Sequence, residues 1–190
     1  PPVVLHSALP SAAPEGSTVT LKGENFHPSN SLACLFHVNG DGSHVSVPGK
    51  YVSPSEIECD APQSGEGQAQ LWVSTNNDES GRSANSLGIQ LLGGLSLVSV
   101  SPLKGSASGG TSIAITGTGF GDSSLCRFGE AIVRTAKVLN STSLICLSPP
   151  AATALGEDSS LEDSLGDTSV SIEISPNGGH DFTKSGLAYR

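Results

Sequence analysis

Apolar and polar residues alternate with a period of two in many short runs along this chain, and each run ends at Gly, Pro, Asn or Ser. Ser17-Thr-Val-Thr-Leu-Lys-Gly23 and Thr111-Ser-Ile-Ala-Ile-Thr-Gly117 both read this way, as do Ala69-Gln-Leu71-Trp-Val73 and Val170-Ser-Ile172-Glu-Ile174. Alternate side chains of a strand point to opposite faces, so this spacing predicts half-buried strands with one apolar face. Helix-length runs with a 3.6-residue period are absent. Asn39-Gly40-Asp41-Gly42 lies between Leu35-Phe-His-Val38 and Ser43-His-Val-Ser-Val47, a hairpin signal because primed turns need positive φ. The pattern predicts an all-β chain.

The runs form an internal repeat. Ser17 to Phe26 matches Thr111 to Phe120, Cys34-Leu-Phe36 matches Cys126-Arg-Phe128, and Ser55-Glu-Ile-Glu-Cys59-Asp-Ala-Pro62 matches Thr142-Ser-Leu-Ile-Cys146-Leu-Ser-Pro149. Ala69 to Asn76 then aligns with Val170 to Asn177, in the same order. A pattern written twice along 190 residues implies two domains, each long enough to bury its own core. The boundary is expected near Gly93-Gly94, with domains over 1–93 and 94–190 and almost no linker between them. Gly23 and Gly117 are expected to end strands where a side chain would obstruct a turn, with Phe26 and Phe120 folding back to plug one end of each sandwich.

Cys34, Cys59, Cys126 and Cys146 fall two to each half. None is spaced for a CxxC metal or redox motif. Three pairings are possible, and the repeated layout favours Cys34–Cys59 with Cys126–Cys146. Such bonds persist in an oxidising compartment, whereas free buried thiols would suit a reducing one.

The second half contains Ser101-Pro102, Gly109-Gly110-Thr111, Gly117-Thr-Gly-Phe120, Cys126-Arg-Phe128-Gly129, Cys146-Leu-Ser-Pro149-Pro150 and Ser175-Pro-Asn177-Gly178. Together these motifs resemble the IPT/TIG family of immunoglobulin-like domains. The first half departs from that pattern, with Glu15-Gly16-Ser17 in place of Gly-Gly-Thr and His37 after its Phe36. The resemblance implies two tandem immunoglobulin-like β-sandwiches of the IPT/TIG, or E-set, type, with roughly seven strands per domain. It also implies a place in a cell-surface or secreted protein, since the family includes plexins and scatter-factor-type receptors. Some transcription factors carry the domain too.

Charge bears on that choice. The net charge is -9, and residues 1–93 carry three Lys or Arg against nine Asp or Glu. Gripping phosphates needs clustered cations, so nucleic acid and anionic membrane surfaces are poor partners for this chain. No run approaches the ~20 apolar residues of a membrane span, so no direct membrane insertion is expected. The chain opens on Pro1-Pro2 without an initiator Met or a signal-peptide pattern, which suggests an excised portion of a longer protein.

No catalytic constellation is legible: a G-x-S-x-G elbow, a Walker loop and an HExxH helix are all missing. Gly117-Thr-Gly119-Phe-Gly121 has glycines for a phosphate loop but no following helix to hold the anion. Of the five histidines, His6, His27, His37, His44 and His180, only His37 and His44 could meet, across a hairpin. Two histidines alone make a weak metal site, so neither a metal nor a cofactor is expected.

Three features could carry recognition. Trp72 falls out of phase with Ala69, Leu71 and Val73, so it is expected on the outer face, at the place the second half fills with Glu173. Outward Trp residues often anchor interfaces, though most pack against a neighbouring strand. Glu157, Asp158, Glu162, Asp163 and Asp167 make an acidic stretch that lengthens the second half; it lacks the ligand order of a calcium loop and reads as a solvated loop or a partner-binding segment. Asn140-Ser141-Thr142 is a glycosylation sequon in a turn. The expected function is non-catalytic extracellular recognition or adhesion, with a protein or a neighbouring domain of the same parent chain as partner. Structural spacer repeats are the alternative, and a DNA-binding domain would need basic loops that the chain lacks.

Overall fold

The computed structural model describes residues 1–38, 44–63, 65–129, 132–154 and 169–190. The chain divides into two compact units, Pro1–Gly94 and Leu95–Arg190, and both are β-sandwiches.

In the first unit the strands are β1 (Val4–Leu9), β2 (Ala12–Pro14), β3 (Thr18–Glu24), β4 (Ala33–Val38), β5 (Val45–Ser53), β6 (Glu56–Asp60), β7 (Gly67–Ser74) and β8 (Leu87–Leu92). They run in the order β1-β3-β6-β5-β4-β7-β8-β2. The eight are continuous because β5 serves both layers. Its residues Val45–Pro48 pair with β4, and Gly49–Ser53 pair with β6. The Asn39-Gly-Asp-Gly42 turn lies outside the described residues, but the strands on either side of it pair antiparallel.

The second unit contains β9 (Ser96–Ser101), β10 (Ser112–Thr118), β11 (Leu125–Phe128), β12 (Ile132–Thr135), β13 (Lys137–Asn140), β14 (Ser143–Leu147), a single helical turn α1 (Ala151–Ala154), β15 (Val170–Ser175) and β16 (Ala188–Tyr189). Here the equivalent of β5 is broken at Ala136, which is buried and donates its N–H to the Ser124 carbonyl. Two separate four-stranded sheets result, β13-β14-β10-β9 and β12-β11-β15-β16. Among the described residues each unit has eight strands, in keeping with the roughly seven that the resemblance implies.

The alternation places the core. Val19, Leu21 and Ile57 of the first unit face Phe36, Leu71, Val73, Ile89 and Leu91, all at or near zero exposure. Ile113, Ile115 and Leu144 face Phe128, Ile172 and Ile174 in the second. Each such side chain contributes about 1.5–3 kcal/mol on burial.

The strand-ending glycines have a different role from the one the sequence suggests. Gly23 and Gly117 lie inside β3 and β10 with ordinary negative φ, and what they lack room for is a side chain. A Cβ on Gly117 would stand 2.7 Å from Phe120 Cζ and collide with the Ser96 carbonyl; on Gly23 it would meet Phe26 Cζ at 2.7 Å and the Val4 carbonyl. Phe26 and Phe120 are buried beneath them, as the motif implies. The positive φ comes two residues later, at Asn25 and Gly119. That bend lets the Phe26 and Phe120 N–H groups bond the Pro54 and Ser141 carbonyls.

The first unit's departure from Gly-Gly-Thr has a local cause. Gly109 has φ +78°, and a Cβ there would strike the Pro149–Pro150 backbone. Its counterpart Glu15 follows β2, which pairs in parallel with β8, and its N–H donates to the Leu92 carbonyl instead. With β2 in place the chain no longer needs glycine at that position.

Candidate functional site

The four cysteines join the layers of each sandwich. Cys34 on β4 bonds Cys59 on β6, and Cys126 on β11 bonds Cys146 on β14, with Cα separations of 6.3 and 6.2 Å. No cysteine remains free. All four lie within the cores, so they are structural groups and not exposed nucleophiles.

The outer face of β4 and β7 carries the densest set of functional side chains. Its construction begins at the end of β7. The buried Ser74 hydroxyl bonds the Asn76 side chain and the Asp78 carbonyl, and accepts from the Asp78 N–H. This turns the chain back over the sheet. Ser83 then clasps Val73 at both ends, its hydroxyl accepting from the Val73 N–H and its own N–H donating to the Val73 carbonyl. Between these anchors sits a short 3-10 turn, Glu79–Gly81, N-capped by Asp78. The second unit repeats the device with Ser175, Asn177 and Thr183, the last clasping Ile174.

The returning segment delivers Glu79 and Arg82 to the sheet. Glu79 Oε1 stands 2.7 Å from His37 Nε2 and 3.1 Å from His44 Nδ1, while its Oε2 accepts from Arg82 Nη1 at 3.0 Å. The His37 ring stacks on His44 at 5.4 Å and meets Trp72 edge-on at 4.7 Å. Arg82 lies over the Trp72 ring, 5.3 Å from its centre. His37 comes from β4, His44 from the residue before β5 and Trp72 from β7, so two strands, the start of a third and a turn converge.

Trp72 therefore lies on the outer face that alternation assigns it, paired with Leu35 across β4 and β7. It is only half-buried, while Leu35 beside it has no exposure. The ring shares its face with Leu35 and is itself flanked by His37 and Arg82. At the equivalent place in the second unit, Glu173 pairs with Arg127 and is almost wholly buried, held by the hydroxyl of Thr183 and the N–H of Ser185. Arg127 there stacks on Phe182 at 4.1 Å. Both units place a cation against an aromatic ring on this face, with the two roles exchanged between strand and returning segment.

Among the described residues, His37, His44 and Glu79 are the one set of three metal-competent groups whose ligand atoms converge, all within 4.8 Å of one another. Sequence spacing exposes the two histidines but not Glu79, which no motif connects to them; the Ser74-Thr-Asn76 turn is the only local signal that the chain folds back. His6, His27 and His180 are exposed and are not members of this set. Asn140 and Thr142 are exposed in the β13–β14 turn, where the Asn140 side-chain oxygen accepts from both the N–H and the hydroxyl of Thr142 at 2.9 Å. Glu157, Asp158, Glu162, Asp163 and Asp167 lie outside the described residues. Among the described residues, no helix is long and apolar enough to cross a membrane.

A family model described as IPT/TIG domain matches residues 2–88 and again 95–187. No curated protein sequence matches the chain. Among solved structures it is similar to the full extracellular region of plexin A4, at 18% identity over 98% of this chain with a TM-score of 0.44. It spans 15% of that plexin chain. It is also similar to the surface glycan-binding protein PbSGBP-B from Prevotella bryantii, at 13% identity over 99% of this chain and 41% of that one, with a TM-score of 0.36.

Proposed function

The chain belongs to the IPT/TIG domain family, and from that premise we propose that it is a non-catalytic recognition segment of an extracellular or cell-surface protein, with domains over 1–93 and 94–190. Its mechanism is surface complementarity with a protein partner, through sandwich loops or a sheet face. The observation that carries this reading is one buried disulfide across each sandwich with no thiol left over, an arrangement stable in an oxidising compartment.

The face around Trp72 is the candidate contact surface. A large aromatic ring beside Arg82 combines two residue types that dominate interface energetics, and here the ring is pre-positioned by His37 and Arg82 before any partner arrives. Trp72→Ala is expected to weaken capture of a cell-surface partner by at least about tenfold, the loss of a moderate interface anchor. Capture by wild type and variant from the same surface extract measures this, with circular dichroism confirming that the variant folds. Equal capture by a folded variant removes Trp72 from the reading.

One observation favours the spacer alternative. The Trp72 ring is already partly used inside the domain, where it is half-buried and meets His37 and Arg82. In a spacer the same substitution lowers stability and leaves every partner interaction intact, so the two readings separate in one experiment.

We propose further that Asn140 is glycosylated, since its sequon is exposed in a turn of a disulfide-bonded domain. Peptide mapping of the protein secreted from animal cells, with enzymatic glycan release, is expected to find Asn140 converted to Asp. An unmodified Asn140 in all of that material contradicts the assignment.

A further inference from the structure

We propose that His37, His44 and Glu79 form a binding site for one divalent transition-metal ion of the zinc class in the first domain. Imidazole nitrogen and carboxylate oxygen are the donors such ions take, with bonds of about 2.0–2.2 Å. Donor atoms gathered around one ion then stand roughly 3 Å apart. Here Glu79 Oε1 is 2.7 Å from His37 Nε2 and 3.1 Å from His44 Nδ1, and all three ligand atoms lie within 4.8 Å of one another, so modest side-chain shifts gather them around one ion.

A second observation points the same way. His37 Nε2 and Glu79 Oε1 are both shut off from solvent, and neither is aligned for a hydrogen bond. The two atoms face each other at 2.7 Å as an ion pair, but buried polar atoms without an aligned hydrogen bond are rare in folded proteins, and a shared ion satisfies both at once. The free orientation of the carboxylate is also used up. Arg82 Nη1 holds Oε2, leaving Oε1 directed at the imidazoles, the kind of outer contact that orients metal ligands.

The scaffold suits the task. His37 is on β4, His44 adjoins β5, and Glu79 lies in a turn fixed by Ser74 at one end and Ser83 at the other. An ion would tie these elements together and leave a fourth position for water or for a donor from another molecule. Two nitrogens and one oxygen disfavour Ca²⁺ and Mg²⁺, which take six or more oxygen ligands. The nearby Arg82 charge opposes any cation at this site.

Trp72 supplies the readout, because it is the chain's single Trp and its ring meets His37. The full chain without a histidine tag is titrated with Zn²⁺ by calorimetry and with Cu²⁺ by Trp fluorescence. One ion per chain is expected, with Cu²⁺ quenching Trp72 and Mg²⁺ leaving it unchanged. His44→Ala and Glu79→Gln are each expected to weaken Zn²⁺ binding about 100-fold, the upper end of what loss of an outer contact alone costs. His6→Ala and His180→Ala leave it unaltered. Glu79→Gln keeps the side-chain shape, so it tests ligation even where His37→Ala unfolds the domain. Absence of saturable Zn²⁺ binding by wild type, or binding by Glu79→Gln and His44→Ala as tight as by wild type, overturns the site. The outcome does not depend on whether a protein partner binds the same face.

Discussion

Replacing Cys126 and Cys146 together by alanine is expected to lower the stability of the second domain by about 3 kcal/mol, the closure entropy of a loop of this length on the chain-entropy model. The cysteines are 20 residues apart and join β11 to β14 in facing sheets. Cutting the bond therefore frees the unfolded chain while leaving the native layers in contact through Ile113, Ile115, Phe128 and Ile174. For a domain of this size the loss amounts to a melting shift on the order of 15 °C. Differential scanning calorimetry should show one transition moving and the other staying in place. Trp72 assigns them, since the only Trp lies in the first unit and its fluorescence follows that transition alone. The Cys34–Cys59 pair predicts the converse, with a loop of similar length. If a reducing agent moves neither transition, the bridges are not part of what holds the sandwiches, and the extracellular reading loses its main support.

Phe120→Ala is expected to cost the second domain about 3–5 kcal/mol, the range for emptying a buried aromatic site. The ring is almost wholly buried and closes the end of the sandwich against Gly117. Gly117→Ala should itself cost about 1–3 kcal/mol, because the added carbon overpacks against Phe120 and the Ser96 carbonyl. The two changes share one space, so their effects should not add. Removing the ring relieves half of the clash, and the double variant should be more stable than the sum of the single losses implies. Urea denaturation of the four proteins measures the coupling. Strict additivity would show that the glycine is needed for some reason other than contact with the ring.

Much of this architecture was legible in advance. The all-β class, the two-domain division of the motifs and the core faces of β7 and β15 all follow from alternation and repetition, which are local properties of the chain. The reason for Gly23 and Gly117 was not, because a ring three residues onward and a carbonyl on a neighbouring strand exclude a side chain, and neither is visible in strand periodicity. The same holds for β5. Nothing in its pattern separates a strand that serves both layers from one broken at its middle, as at Ala136 in the second unit.

The site shows the division most clearly. By itself the sequence determined that Trp72 and Glu173 lie opposite the core face, because neighbouring side chains on a strand point in opposite directions. Tertiary structure decided that Glu173 is buried, that Arg82 lies over the Trp72 ring, and that Glu79 meets His37 across a gap of 42 positions. A period of two assigns a residue to a face but carries no information about what later crosses that face. Only the path of residues 75–83, set by the Ser74 and Ser83 hydrogen bonds, brings the carboxylate to the imidazoles.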